Sequence, residues 1–358
     1  DALVRSSATT GFDVTVDLPF RAVLYRTGPE SFVLSIVVHH IAADGASMAP
    51  LARDVMVAYS ARSAGSQPTW APLPVQYADF ALWQHDVLGD ENDPTSVAAR
   101  QIEFWKSALT DLPDVLPMPL DRPRPTRQSM RGSVTPFTIP ADVAARLSSV
   151  AAEHESTLFM VVHSALAVLL ARLSGTQDIA IGTPIAGRGD AALDDLVGMF
   201  VGTLVLRTQV EPQASFAELL AGARSSDLAA FDNTDIPFER LVDVLDPARS
   251  TDHSPLFQVL LEFQNNATAV LELPELVVEF EEIGTDTAKF DLQLRVDQEP
   301  VDESGALSAS FTYATDLFDP ETIDRFVDRF LRIVATIGSS TDIRTGDIDI
   351  LSPAEREL

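Results

Sequence analysis

The sequence has no cysteine, which removes disulfides, thiolate metal sites, iron–sulfur clusters and cysteine nucleophiles in one step. Lysine is nearly as scarce: Lys106 and Lys289 are the only two among 25 basic residues, an arginine bias that fits GC-rich coding better than any chemistry. Those 25 face 53 acidic side chains, and the formal charge of −28 repels nucleic-acid phosphates and anionic lipid. Long apolar runs are missing too. Phe32 to Val38 and Leu166 to Ala171 fall far short of the ~18 residues that suggest a membrane span. No charged, apolar and small-residue signal segment opens the chain, which starts at Asp1 in mid-pattern; a piece of a longer, soluble, cytoplasmic protein is expected. There is no Gly-x-Ser-x-Gly elbow, no P-loop and no Gly-x-Gly-x-x-Gly fingerprint, so serine hydrolases, NTPases and dinucleotide enzymes lose their strongest signals. What remains is an acid–base site.

What is present is enough apolar material for a large core. The chain has 358 residues, 46% hydrophobic and 22% charged, a globular composition whose length suggests two lobes. Five prolines between Pro113 and Pro125 mark a linker, since proline fixes φ and cannot donate to a ladder or helix. The expected organisation is a partial N-terminal lobe over 1–112, a proline-rich linker over 113–131, a C-terminal lobe over 132–346 and the start of a connector over 347–358.

Residue patterns place strands at Phe20 to Arg26 and Phe32 to His40 around a Gly28-Pro29 turn. A helix capped near Ser47 follows, with Met48, Leu51, Val55, Met56 and Tyr59 on one face and Gly65 just past its end. Two helices with aromatic inner faces come next, at about Val75 to Val87 and Val97 to Leu109. Tyr77, Phe80 and Trp83 recur at helical spacing and are expected to be core. Beyond the linker come a strand at Val134 to Ile139, a helix from about Ala141 and a very apolar helix at Leu158 to Leu173. Strands follow at Ile179 to Thr183 and Phe200 to Arg207, then a helix at Phe216 to Ala229. Strands at Phe257 to Phe263, Leu276 to Phe280, Phe290 to Val296 and Ala306 to Thr312 precede a last helix, Pro320 to Ile337, with proline at its first position. This is an α/β (α+β) chain with much antiparallel sheet.

One segment could carry chemistry: His39-His40-Ile41-Ala42-Ala43-Asp44-Gly45, between a strand and a helix. Alternation along a strand sends His39 and His40 in opposite directions, so only one can serve a given reacting atom. The pattern alone does not choose between them, and a satisfied core histidine is the commoner role for such a residue. A metal site reads poorly, because Gly45 and the strand interrupt the helical spacing of a His-x3-Asp pair and no third ligand is near. His85, His154, His163 and His253 are scattered and read as surface or packing residues.

The segment His39 to Gly45 resembles the HHxxxDG signature of the condensation domains of nonribosomal peptide synthetases. Further segments resemble the family's core motifs in the same order: Tyr77 to Trp83, Ile181 to Arg188, Val197 to Thr203, Asp235 to Glu239 and Ser254 to Gln258. The resemblance implies two chloramphenicol-acetyltransferase-like lobes forming a V-shaped pseudo-dimer. The first lobe is expected to be partial, because two earlier family motifs do not appear before Gly11-Phe12-Asp13. It also implies an acyltransferase that joins an upstream acyl or peptidyl thioester to the amino group of a downstream aminoacyl thioester. Each substrate is then borne on the phosphopantetheine of a carrier domain, with no covalently bound cofactor and no metal. Upstream and downstream peptidyl carrier domains and an adjacent adenylation domain are the implied partners, and Leu351 to Leu358 resembles the connector to the latter.

By the same resemblance His40 is the catalytic candidate, placed midway along a passage between the lobes, where it either only positions the amine or orients it and takes its proton. A free imidazole titrates near ~6.5 and can do so near neutrality. His39 is expected to pack behind the strand, and Gly45 to let backbone approach the substrate. Asp44 is expected to hold the histidine loop by pairing with Arg188 of the opposite lobe, or else to cap the following helix. Asn265 is a candidate for the channel, and Gly198, Gly202 and Pro237 for shaping backbone. The alternatives are an epimerization domain of the same superfamily and a non-catalytic recruitment module with the same fold; cyclization domains, which use an aspartate-based motif, and stand-alone acyltransferases fit less well.

Overall fold

In the computed structural model, residues 2–247, 250–264, 276–279, 284, 286–300 and 305–356 are described. They fall into two compact units: Asp1–Val87 with Ala186–Val201 and Asn266–Thr285, and Leu88–Ile185 with Gly202–Asn265 and Asp286–Leu358.

The first unit contains α1 (Ala2–Thr9), β1 (Phe20–Arg26), β2 (Phe32–Val38), α2 (Met48–Ser63) and α3 (Tyr77–Leu88). β1 and β2 form an antiparallel hairpin in which Phe20 faces Val38 and Arg26 faces Phe32. Its turn closes through N–H groups of Thr27 and Gly28 donating to the Ser31 carbonyl at 2.9 and 3.1 Å. Only Pro50 of α2 and no residue of α3 is fully buried. The expectation that Tyr77, Phe80 and Trp83 all lie in a core is therefore not met. Phe80 does pack, against Leu193, Leu196 and Phe200, whereas Trp83 is 58% exposed.

The second unit contains α4 (Val97–Ala108), β3 (Gly132–Ile139), α5 (Ala141–Glu153), α6 (Leu158–Ser174), β4 (Asp178–Ile185), β5 (Gly202–Gln209), α7 (Phe216–Phe231), α8 (Phe238–Leu245), β6 (Val259–Gln264), β7 (Leu292–Pro300), β8 (Leu307–Ala314), α9 (Pro320–Ile337) and α10 (Pro353–Arg356). Its six-stranded sheet has the order β3-β8-β7-β6-β4-β5. β6 runs parallel to β7 and β4 while the other pairs are antiparallel, so the unit is mixed α/β. α1, α8 and α10 are additions to the expected elements. Residues 276–279 form no strand beyond a bridge at Leu276, and Phe280 lies outside the described residues.

Local chemistry explains the helix ends. The Thr157 hydroxyl accepts the Met160 N–H at 3.2 Å and Gly175 closes α6 in the left-handed region at φ 73°. Every residue of α6 from Met160 to Leu170 is buried. On α9 the stripe Ile323, Phe326, Phe330, Ile333, Val334 and Ile337 enters the same core, and each such fully buried side chain contributes roughly 1.5–3 kcal/mol. No single described helix is long and apolar enough to cross a membrane; α5 and α6 together have the composition but bend by 106° at their junction.

The proline-rich stretch 113–131 lies within this unit as a strap. Leu116 and Met118 sink into its core, and Arg124 grips Asp291 with a two-pronged ion pair in which the carboxylate is 1% exposed. α4 belongs to the same unit, with Trp105 buried and its indole N–H donating to the Asn233 carbonyl at 2.9 Å.

Candidate active site

β2 ends at Val38, and the histidine pair sits beyond it in a turn in which the Ala42 N–H donates to the His39 carbonyl at 2.9 Å. Strand parity therefore does not separate the two rings; the turn does. The His39 Nδ1 accepts the Ile41 N–H at 3.0 Å, so that nitrogen bears a lone pair and the ring proton sits on Nε2. The edge of Phe12 meets the His39 ring at 6.1 Å, and the Arg21 guanidinium lies 4.4 Å above Phe12. His39 is thus half-buried and engaged. His40 is exposed and has no hydrogen-bond or ion-pair partner among the described residues, which leaves both its ring nitrogens free for another molecule.

Below the turn the chain dives into a polar knot. The Asp44 Oδ1 accepts the Ser47 N–H at 2.9 Å, the Ser47 hydroxyl at 2.7 Å and the Arg188 guanidinium at 3.1 Å, while Oδ2 accepts the Phe200 N–H at 3.0 Å. Of the two readings of Asp44, the structure shows the pair with Arg188; the N–H it receives from its own turn is that of Ser47, the residue before α2, so Asp44 does not cap the helix. Burial would raise the Asp44 carboxyl, but hydrogen bonds from Ser47, the Phe200 N–H and Arg188 outweigh it and hold the group below the usual carboxylate range. Arg188 also donates to the Leu193 and Leu196 carbonyls and lies 4.1 Å over the Phe200 ring. It belongs to the same compact unit as Asp44, because residues 186–201 leave the six-stranded sheet after β4 and return to it at β5; the expectation of a partner in the opposite lobe is corrected here.

Ser47, expected as a helix cap, does not cap α2 with its side chain. Its hydroxyl meets the Gly198 carbonyl at 2.9 Å and the Gly198 N–H at 3.1 Å instead, and receives an Arg188 N–H at 2.9 Å. The Asp44 N–H completes the knot on the Gly198 carbonyl at 3.1 Å. Gly198 is required there, since a Cβ would fall 2.3 Å from the Tyr77 ring. The Tyr77 hydroxyl donates to the Met199 carbonyl at 2.6 Å, and burial followed by the Asp44 charge pushes its ionisation up.

Gly45 is exposed and its carbonyl accepts the Met48 N–H at 3.2 Å. The first unit therefore brings together His39, His40, Asp44, Gly45 and Arg188. Asn265 lies outside the described residues. Sequence reasoning missed the Ser47–Gly198 link and the Phe200 N–H; the signal available was Ser47 falling three residues after Asp44, the reach of a side chain across one turn.

The remaining motif segments serve the second unit. Gln101 donates to Asp235 at 2.7 Å and accepts the Asp235 and Ile236 N–H groups at 3.0 and 3.2 Å. Pro237 opens α8. The Gln258 amide accepts the Leu116 N–H and donates to the Asp114 and Ser254 carbonyls, and the Gly182 hydrogen leaves room for the Phe257 ring, which a Cβ would approach to 2.1 Å.

Comparison with known proteins agrees with this architecture. The family profile "Condensation domain" matches residues 1–358. The chain is 46% identical over 355 residues to CymA of Salinispora arenicola, named a probable non-canonical nonribosomal peptide synthetase, covering 99% of this chain and 4% of that one. It is 46% identical over 346 residues to a dimodular nonribosomal peptide synthase of Bacillus subtilis, covering 96% of this chain and 15% of that one. Among solved structures, the X-domain in complex with OxyB from teicoplanin biosynthesis superposes with a TM-score of 0.92 at 31% identity, over 98% of this chain and 77% of that one. The chain thus spans a small part of the length of the curated relatives it matches.

Proposed function

Because the chain belongs to the condensation-domain family, we propose that it forms a peptide bond between two carrier-borne thioesters, with His40 serving the amine. The amine nitrogen attacks the donor carbonyl carbon, the C–N bond forms, the C–S bond breaks and the thiolate leaves. His40 accepts the proton the amine loses and returns it to the sulfur, so no outside acid or base is consumed. Orientation of the amine matters as much as the proton, since holding both reactants in attack geometry can supply roughly 7–11 kcal/mol. The observation that carries this reading is the contrast within the pair: His39 has its Nδ1 tied to the Ile41 N–H, while His40 is exposed and has no hydrogen-bond or ion-pair partner among the described residues. Upstream and downstream carriers presenting phosphopantetheine arms, a neighbouring adenylation domain and a cytoplasmic setting belong to the same proposal.

The test is release of a dipeptidyl thioester from loaded carriers, followed by mass spectrometry and chiral analysis. His40→Ala is expected to lower the rate by about 10²–10⁴-fold; a parental rate would refute the role. Loss of stereochemistry without a new peptide bond would instead support epimerization. A second reading, a recruitment module, draws on the likeness to the X-domain solved with OxyB. The presence here of both histidines, Asp44 and Gly45 supports catalysis over it.

A further inference from the structure

One stretch runs against the charge of the whole chain. Residues 122–131 hold Arg122, Arg124, Arg127 and Arg131 and no acidic residue, and no other ten-residue window of this −28 sequence has four basic residues. Arg124 is spent inside the second unit on Asp291. The other three line one open groove of about 590 Å³, together with Ser129, Thr315 and Asp316.

The donors are set in place by their surroundings. Arg122 pairs with Asp319 and donates to the Thr315 carbonyl at 3.2 Å, and Arg131 pairs with Asp316 at 3.1 Å. A guanidinium offers five N–H donors, so one carboxylate orients the fork without exhausting it. Asp316 is itself held ionised by Ser129 and Arg131, its carboxyl lying below the usual range. Pro123 and Pro125 fix the backbone between the arginines. Arg127 is exposed and has no hydrogen-bond or ion-pair partner among the described residues. Asp319 and Asp316 are engaged by Arg122 and Arg131, so Arg127 alone of the three carries no carboxylate partner among the described residues.

We propose that this groove binds a phosphate ester, with Arg127 and Arg131 as the principal contacts and Arg122 beside them. Planar, always-charged forks suit tetrahedral phosphate oxygens, and net repulsion by the remainder of the surface makes such a site selective for a ligand whose charge is compact. Two sources share the chemistry, the phosphate at the root of a carrier's pantetheine arm and the phosphate of a nucleotide. Only the choice of the arm as the biological ligand rests on the condensation reading.

Calorimetric titration of the intact 358-residue chain with 4′-phosphopantetheine, pantetheine and AMP tests it. At least one phosphate-bearing probe is expected to bind about tenfold more tightly than pantetheine, weakening as salt is raised. Arg127→Gln, at an exposed and unpartnered position, is expected to keep the parental melting temperature and lose most of that preference; Arg127→Gln with Arg131→Gln is expected to abolish it. Phosphopantetheine ahead of AMP assigns the arm, and AMP ahead assigns a nucleotide; either supports the phosphate site. No preference over pantetheine, or a preference unchanged in both variants, overturns it. Loss of peptide synthesis in His40→Ala with phosphate binding intact, or the reverse, separates this site from the catalytic proposal.

Discussion

Replacing Asp44 by asparagine removes one charge from the knot beneath the histidine turn and keeps the side chain's size. The carboxylate accepts from four donors, the Ser47 N–H and hydroxyl, Arg188 and the Phe200 N–H. An amide has one acceptor oxygen, so whichever way it turns, its NH2 faces at least one of those donors. Arg188, with its side chain 7% exposed, is left without its counter-charge. Breaking a buried pair in this way costs about 3–5 kcal/mol. The carbonyls of Leu193 and Leu196 and the Phe200 ring still hold the guanidinium, which places the expected loss near the lower end. At about 2–4 °C per kcal/mol, a loss of ~3 kcal/mol is a fall of about 6–12 °C in melting temperature. Calorimetry at neutral pH reads it directly, and trypsin cleavage after Arg188 is expected to accelerate as residues 186–201 loosen. The pH dependence supplies the sign. The Asp44 carboxyl is depressed in the folded protein, so its stabilisation is complete above the unfolded value of about 3.9 and fades as pH falls through the folded one. The gap between parent and variant should therefore narrow on acidification. A melting temperature within about 1 °C of the parent at pH 7, or a gap indifferent to pH, would refute the reasoning.

Other substitutions read out separate contacts. His40→Ala is expected to melt within about 0.5 kcal/mol of the parent, because the residue is exposed and has no hydrogen-bond or ion-pair partner among the described residues; a large loss of stability would show that His40 is structural. Gly198→Ala and Gly182→Ala force a Cβ to within 2.3 Å of Tyr77 and 2.1 Å of Phe257 and should each cost about 1–3 kcal/mol in denaturant titration. Arg124→Met strands the Asp291 carboxylate in the second unit and should cost about 3–5 kcal/mol, with Arg124→Met/Asp291→Leu recovering much of it. The Glu355 carboxyl is pulled down to about 2 by the Ser352 N–H, Arg329 and the Ser352 hydroxyl; carbon-detected NMR should find it still ionised at pH 3, where an ordinary glutamate is protonated.

The second unit was largely legible because its signals are local. Pro320 starts α9 and the 3–4 spacing of its apolar residues continues to Ile337, as expected from the sequence; α6 announces itself by unbroken hydrophobicity between Thr157 and Gly175. The first unit shows the limit of periodicity. Met48, Val55 and Tyr59 do recur at helical spacing, yet all three remain substantially exposed, since a pattern marks an apolar face and carries no information on what covers it. Proline content misleads in a related way. The stretch 113–131 has the composition of a linker, but Leu116 and Met118 anchor it as a strap, and two buried side chains outweigh the stiffness of five prolines.

The site divides along the same line. That one histidine should differ from its neighbour was legible, but the cause was not: alternation belongs to paired strand, and the pair lies past the last paired residue, Val38. A single backbone N–H, that of Ile41, consumes the His39 acceptor and thereby decides which imidazole is left over. Arg188 was readable as a partner for Asp44 from charge and motif, but not its compact unit, because membership depends on where the chain leaves β4 and rejoins at β5. The consequence is mechanical. The Asp44 and Ser47 end of the histidine turn is fastened to Gly198, Phe200 and Arg188 by hydrogen bonds, so residues 186–201 anchor the segment that follows His40. Substitutions that loosen that segment should reduce the rate while leaving the ring itself intact, and restoring the segment should restore the rate.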